Sequence, residues 1–402
     1  MKFANRLDLL RSNVFADMDR AKSKAILAGQ DLIDLSLGSS DLPVSDHIIQ
    51  PIQESLSDPS THGYLLFRNT QEFRETVAQW YSNRYGITLD PETEVLQLIG
   101  SQEGTAHLPL AILNPGDFAL LQDPGYPSHL GGVYLAGGQM YPMPLVTEND
   151  FLPLFEDIPE TVLKQSRMMV LSYPHNPTSA TAPLSFFQKA VTFCQNHDLV
   201  LVHDFPYMDF VFPRGEQTIA ELAPSILQAD PNKTVSIEFF TFSKSYNMGG
   251  FRVGFAIGNA ELILALRRIK AVVDFNQYQG ILNGAIAALT GPQDHIAQNM
   301  AVFAGRRDTF IDRMQTIGWN IPKPEATLYI WAKLPEPWSE DSMGFCQQLV
   351  EKTGVAASPG VGFGQSGEGY VRFALVHPPD VLATAVDRIA EFLQTSRPDL
   401  NP

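Results

Sequence analysis

Cysteine is almost missing from this chain: two in 402 residues, Cys194 and Cys346. Two thiols cannot build a disulfide framework or a cysteine-rich metal site, and they fit a reducing compartment. Basic residues are also short, 28 Lys and Arg against 44 Asp and Glu, for a net charge of −16 and a pI near 4.9. Nucleic-acid binding needs a basic face, which this balance denies. The acidity speaks for solubility rather than for a substrate. Charged residues make up 18%, too few for a disordered or coiled-coil chain. No apolar run approaches a membrane span, and Lys2, Arg6, Asp8 and Arg11 interrupt any signal-like stretch after Met1. What remains is an ordinary globular composition, 44% hydrophobic, long enough for two domains and expected in the cytoplasm.

What the chain does contain is a series of strand-to-loop junctions rich in polar groups. The most informative is TFSKSYNMGGFRVGFAIG, Thr241 to Gly258. A strand-like run over 234–242 delivers Lys244 among the hydroxyls of Thr241, Ser243 and Ser245, and Arg252 stands eight positions after the lysine. Burial of a lysine strips solvent from its ammonium, lowers its pKa and favours the amine that attacks carbonyls. Lys244 is therefore a Schiff-base candidate. The Arg252 fork suits a phosphate. Pyridoxal 5′-phosphate (PLP), a carbonyl ligand that also carries phosphate, would satisfy both. A bare S-x-K also fits a surface Lys and Arg beside a glycine turn.

Four further junctions repeat the pattern. A strand over 95–99 runs through Gly100, Ser101 and Gln102 into a helix stopped at Asn114-Pro115-Gly116. Backbone N–H groups at such a helix start form an anion site, although a turn that binds nothing also fits. Neither Gly-Lys-Ser/Thr nor G-x-G-x-x-G marks this turn, so it is not a known nucleotide loop. Tyr126 follows a short strand in DPGYP, and a run at 168–171 ends in Pro-His-Asn-Pro, where Asn176 stands and His175 reads as turn structure. A strand at 199–203 brings Asp204 and Tyr207, with His203 reading as a core or supporting histidine. A carboxylate at a strand end, beside a ring nitrogen, keeps that nitrogen protonated, as PLP chemistry requires. Alternating strands and helices predict an α/β fold with a mainly parallel sheet that collects ligands at its C-terminal edge.

Around these junctions, Leu9, Leu10, Val14, Met18 and Ala21 predict an amphipathic helix over 5–29, and 33–37 a short strand broken at Gly38. Phe73, Val77, Trp80 and Tyr81 form one helical face. Helices are expected over 261–273 and 295–317, the second joining two domains with Arg306 and Arg307 on a solvated face. The remainder reads as α+β: strands at 328–334 and 354–360, helices at 345–352 and 381–393, and a strand in GEGYVRFALV. Arg372 sits in the middle of that last strand, where a charge is costly unless paired.

In combination, the Lys244 string with DPGYP, PHNP, HDFPY and GEGYVR resembles the class I/II aminotransferases of the aspartate, alanine and diaminopimelate type, PLP enzymes of fold type I, from Ile33 to Leu375. The resemblance implies a large domain, mainly parallel sheet flanked by helices, over 51–290. It also implies a smaller α+β domain from both chain ends, 1–50 and 291–402. Lys244 would carry PLP as a Schiff base and then act as general base and acid. Asp204 would pair with the ring nitrogen, Tyr126 stack on the ring, and Asn176 and Tyr207 bond its 3-hydroxyl. Ser101, Gln102, Thr241, Ser243 and Arg252 would hold the phosphate, with Tyr64 reaching across a homodimer to it. Gly38, Asn176 and Arg372 would meet the substrate α-carboxylate.

This sequence departs from the pattern in three places: Ser39-Ser40 follows Gly38 where relatives commonly have Gly-Asp-Pro, LLFRN follows Tyr64, and His175 stands where many have Asn. The activity implied is transfer of an amino group between an L-amino acid and a 2-oxo acid. A PLP-dependent C–S lyase would share every residue named. A non-catalytic aminotransferase-like module usually carries a DNA-binding segment, whereas this chain is expected to open on its domain helix. SQEGTAHLPLAILNPGD and NMGGFRVGFAIGN resemble the subgroup using diaminopimelate, alanine or aromatic donors, without selecting one.

Overall fold

The computed structural model describes residues 1–10, 14–212 and 217–395. In chain order its strands are β1 (Ile33–Asp34), β2 (Val95–Leu98), β3 (Phe118–Asp123), β4 (Gln139–Pro144), β5 (Ser166–Leu171) and β6 (Val200–Asp204). They continue with β7 (Ser236–Thr241), β8 (Gly254–Gly258), β9 (Tyr329–Lys333), β10 (Val355–Ala356), β11 (Ser358–Pro359) and β12 (Tyr370–Ala374). Seven of them form one sheet in the order β2-β8-β7-β6-β5-β3-β4, with β8 antiparallel to both its neighbours and the other pairings parallel.

Alternate residues of these strands enter opposite cores. Val95, Leu120, Met169, Leu201, Phe240 and Phe255 face one apolar cluster, and Leu96, Leu121, Met168, Val202, Phe239 and Ala256 face the other. A parallel sheet covered by helices on both faces reads as this kind of continuous apolar run. One face is covered by helices that include Gln71–Tyr85, Leu184–His197 and Gln279–Thr290, the other by Ser101–Ile112, Pro127–Leu135 and Ala260–Val273.

A separate core joins the two ends of the chain. Met18, Ala21, Ala25, Ile33 and Leu35 pack with residues of the long helix Asp294–Thr316, of Ser342–Thr353 and of Pro379–Thr395. β1 pairs with β10, and β11, β12 and β9 form an antiparallel sheet. The helix expected over 5–29 occurs as Arg6–Leu9 and Val14–Leu27, while its residues 11–13 lie outside the described residues, as does 396–402 of the last expected domain segment. The strand expected over 33–37 is shorter, only Ile33–Asp34.

The sequence places Arg306 and Arg307 on a solvated face, and the structure corrects this: both are buried. Arg306 clasps Asp41 through two bonds of 2.6 and 2.7 Å and also donates to the Leu375 carbonyl. Arg307 lies over the Phe212 ring and bonds Asp308 and the Pro324 carbonyl. These partners come mostly from far along the chain, so helical periodicity could not reveal them. Partial burial works against the Asp41 charge, but the Arg306 bonds outweigh it and hold the carboxyl below its ordinary range. Truncating one member of such a pair strands the other and its neighbouring acceptors. Arg306→Ala is expected to lower unfolding free energy by about 2–4 kcal/mol in urea denaturation at fixed protein concentration.

Candidate active site

Because both faces of the sheet are apolar, the polar side chains collect where the parallel strands end. Asp204 is the last residue of β6, and Thr241 is the last of β7. Leu98, Gly254 and Thr241 stand side by side across β2, β8 and β7. That register sets the Gly100-Ser101 turn beside Thr241, Ser243 and Arg252.

Gly100 enters the helix Ser101–Ile112 at φ +74°, and a Cβ there would lie 2.7 Å from an Arg252 Nη atom. Only glycine lets the guanidinium lie against this turn. Arg252 also has a left-handed backbone, φ 52°, and donates to the Gly249 carbonyl at 3.0 Å. Thr241 Oγ1 and Ser243 Oγ are 2.8 Å apart, and Thr241 also accepts from the Ser243 N–H. Gln102 is exposed on the first helical turn. N–H groups at a helix start, hydroxyls and a guanidinium together form the chemistry of a phosphate cradle.

Asp204 is buried, with one carboxylate oxygen 3.0 Å from His129 Nε2 and the other without a hydrogen-bond partner. A buried acceptor left bare calls for a donor from a ligand. A protonated pyridine nitrogen is such a donor, so this end of the site fits PLP. His129 comes from the helix Pro127–Leu135 and meets the Tyr126 ring edge-on at 5.7 Å. Burial raises the Tyr126 phenol pKa, the Ser128 hydrogen bond opposes it, and Asp204, Tyr329 and Arg372 all act on it. Tyr126 is therefore within electrostatic reach of both Asp204 and Arg372.

Arg372 is 6% exposed on β12. Its fork donates to Asn176 Oδ1 at 2.8 Å, the Ser36 carbonyl at 2.7 Å and Ser358 Oγ at 3.3 Å, and its Nε has no partner. The rings of Tyr329 and Phe363 lie 4.2 and 4.6 Å from the guanidinium. A buried cation bonded only to neutral acceptors is suited to pair with an anion. Half-buried Lys244 donates to the Gly38 carbonyl and sits 5.6 Å from the Tyr207 ring centre. The Tyr207 hydroxyl pairs with that of Tyr329 at 2.8 Å.

The structure thus brings together Gly38, Tyr126, Asn176, Asp204, Tyr207, Lys244 and Arg372, with Ser101, Thr241, Ser243 and Arg252 grouped at the neighbouring strand ends. Tyr64 is not joined to them within this chain: it is 91% exposed and meets Phe275 edge-on at 6.2 Å. His175 is a turn residue bonded to Thr178 Oγ1, and burial pushes its pKa down to about 3, so it stays neutral. His203 is a core histidine between Glu238 and the Tyr173 carbonyl. Sequence reasoning missed His129 and Tyr329. His129 falls one helical turn after Tyr126, a spacing that could have flagged it, whereas Tyr329 has no such marker.

The family described as aminotransferase class I and II matches residues 30–389. The chain is 40% identical to the LL-diaminopimelate aminotransferase of Halothermothrix orenii over 97% of its own length and 98% of that protein. It is 41% identical to the LL-diaminopimelate aminotransferase of Dehalococcoides mccartyi over 98% and 99%. Among solved structures, a probable N-succinyldiaminopimelate aminotransferase from Thermus thermophilus superposes with a TM-score of 0.88 at 42% identity, covering 94% of this chain and 99% of that one. Substrate-bound BacF from Bacillus subtilis gives 0.91 at 36%, covering 98% of each chain. These relatives give no support to the lyase reading. Gly100→Ala would force the Arg252 fork aside and strain a positive φ, and is expected to weaken PLP binding about tenfold or more in an absorbance titration.

Proposed function

Because this chain belongs to the class I and II aminotransferases, transaminases of fold type I that work with pyridoxal 5′-phosphate, we propose that LL-diaminopimelate is its amino donor and a 2-oxo acid its acceptor. The relatives that carry this donor's name align over nearly the whole chain. The observation that carries the substrate end is Arg372, buried, facing the Lys244 side of the site and bonded to no carboxylate among the described residues.

PLP supplies the carbonyl that captures the amino group and a ring that accepts the electrons released at Cα. The rest falls to this chain's residues. Arg372 grips the donor's α-carboxylate, with Asn176, Ser36 and Ser358 fixing the fork in place. That grip presents the Cα–H to Lys244 Nζ, which takes the proton as general base and returns it as general acid. Lys244 is also the residue assigned to hold the cofactor between turnovers. Asp204, oriented by His129, would accept from the ring nitrogen and keep it protonated. Tyr126 would stack on the ring, and Tyr207 and Asn176 would serve the 3-oxygen. Ser101, Gln102, Thr241, Ser243 and Arg252 anchor the phosphate, and the Gly38 backbone closes the carboxylate side.

We assign 51–290 to a cofactor domain and 1–50 with 291–402 to a smaller one; the separate apolar core that joins the chain ends supports a second domain, with Tyr207, Phe210 and Phe212 also packing into it and Ile48 and Ile296 packing into the core of the large sheet. A homodimer completes the site: Tyr64, Leu66, Val272, Val273 and Phe275 are exposed apolar side chains, a surface suited to a second copy. From that copy Tyr64 would reach the phosphate. We place the protein in the cytoplasm, a reading its two buried thiols support; among the described residues no helix is long and apolar enough to cross a membrane.

The test is the visible spectrum of the PLP-loaded protein as single donors are added without an acceptor. With LL-diaminopimelate the band is expected to fall as one equivalent of 2-oxo acid forms. Bleaching by other amino acids alone would replace the donor, and release of ammonia with pyruvate would overturn transamination. Arg372→Leu removes the carboxylate grip and is expected to raise the donor KM about 30-fold or more while PLP affinity changes little. Equal losses of both would remove Arg372 from the substrate site.

A further inference from the structure

We propose that Tyr329 is a positioning residue that acts through Tyr207, donating its hydroxyl proton to the Tyr207 oxygen so that the Tyr207 proton is free to point at the cofactor's 3-oxygen. This rests on the assignment of Tyr207 to that oxygen.

Both phenols are buried, 2% and 3% exposed, with hydroxyls 2.8 Å apart and rings edge-on. Two phenols joined by one hydrogen bond use one proton between them and keep one over, and the direction of the bond decides whose is free. The ionisable groups facing the pair are Lys244 from the segment after β7, Arg372 from β12 and Tyr126 from the loop after β3. Phe210 closes the Tyr207 side with an apolar ring.

Burial opposes ionisation of both phenols. At Tyr329 the charges of Lys244 and Arg372 outweigh it and lower the pKa, whereas at Tyr207 burial, with Tyr329 beside it, raises the pKa well above the ordinary value. With the single Tyr207 proton given to the 3-oxygen, the 2.8 Å bond between the two phenols has only the Tyr329 proton left to make it, which sets the direction from Tyr329 to Tyr207.

Tyr329 is also held in place more firmly than packing alone requires. Its N–H donates to Thr327 Oγ1 at 3.1 Å, its carbonyl accepts from Ser179 Oγ at 3.0 Å, and those two hydroxyls are 2.6 Å apart. Ser179 and Thr327 both have left-handed backbones, φ 62° and 61°, a strain that persists only where the surroundings fix it. Ser179 lies three residues after Asn176, and Thr327 donates to the Phe210 carbonyl, three residues after Tyr207. The strand carrying Tyr329 is thereby pinned to both loops that serve the 3-oxygen. On the remaining side, a Cβ on Gly38 would fall 1.9 Å from the Tyr329 hydroxyl, so the backbone there is pressed against it.

Tyr329→Phe keeps the ring beneath Arg372 and removes only the hydroxyl. A donor to the 3-oxygen favours its anion, so weakening that donor makes the bound chromophore keep its proton to higher pH. In PLP-loaded Tyr329→Phe the pH midpoint of the visible absorption change is expected to rise by about half to one unit. Tyr207→Phe should raise it further, and the double variant should match Tyr207→Phe alone, because one relay is being cut twice. An unchanged midpoint in Tyr329→Phe, or the same added rise in the Tyr207→Phe background, would overturn the relay while leaving Tyr207 in its role. A Tyr207→Phe midpoint equal to that of the unsubstituted protein would instead remove Tyr207 from the 3-oxygen, and the relay with it.

Discussion

A parallel sheet that is apolar on both faces leaves polar chemistry one place to go, the ends of its strands. Here β6 ends at Asp204 and β7 at Thr241, with Lys244 three residues on, while the buried polar side chains inside those strands, His203 and Glu238, bond each other. The antiparallel partner β8 returns the chain past the same edge, which is why Arg252 lies beside Gly100 although 152 positions separate them. The site is a consequence of how the core is covered.

Around that edge Asp204 keeps a bare oxygen and Arg372 a bare nitrogen, while Lys244 donates to the Gly38 carbonyl. Burying an unpaired donor or acceptor is unfavourable, so a ligand that pairs with all of them gains what the free protein lacks. An acceptor for a ring N–H, a cation for a carboxylate and an amine for a carbonyl describe one ligand pair, PLP and an amino acid. The second core supplies half of this, since Gly38, Tyr329 and Arg372 all come from the segments that join the chain ends. Preorganised charge of this kind carries most of the catalytic effect in many enzymes.

Much of this was legible in the sequence, because the information lies in short strings. A strand, a turn and a polar residue are local, and each of the strands expected at 95–99, 168–171, 199–203 and 234–242 is present within a residue or two at each end. What escaped was set by distant contacts. Asp41 buries Arg306 from 265 positions away, and no periodicity in the helix announces it. The strand expected over 33–37 shortens because its partner β10 offers only two paired positions. His129 and Tyr329 act on other side chains, Asp204 and Tyr207, so their sequence surroundings look like an ordinary helix and an ordinary strand. Tyr64 stands exposed, away from the residues grouped at the strand ends.

We propose that one lysine, Lys244, carries the cofactor at this strand edge. The most direct measurement is borohydride reduction of the PLP-loaded protein followed by peptide mass spectrometry. The mass of reduced PLP on the peptide containing Lys244, and its disappearance in Lys244→Ala, is the result this account predicts. The same mass fixed on another lysine, or no fixed mass at all, would contradict it.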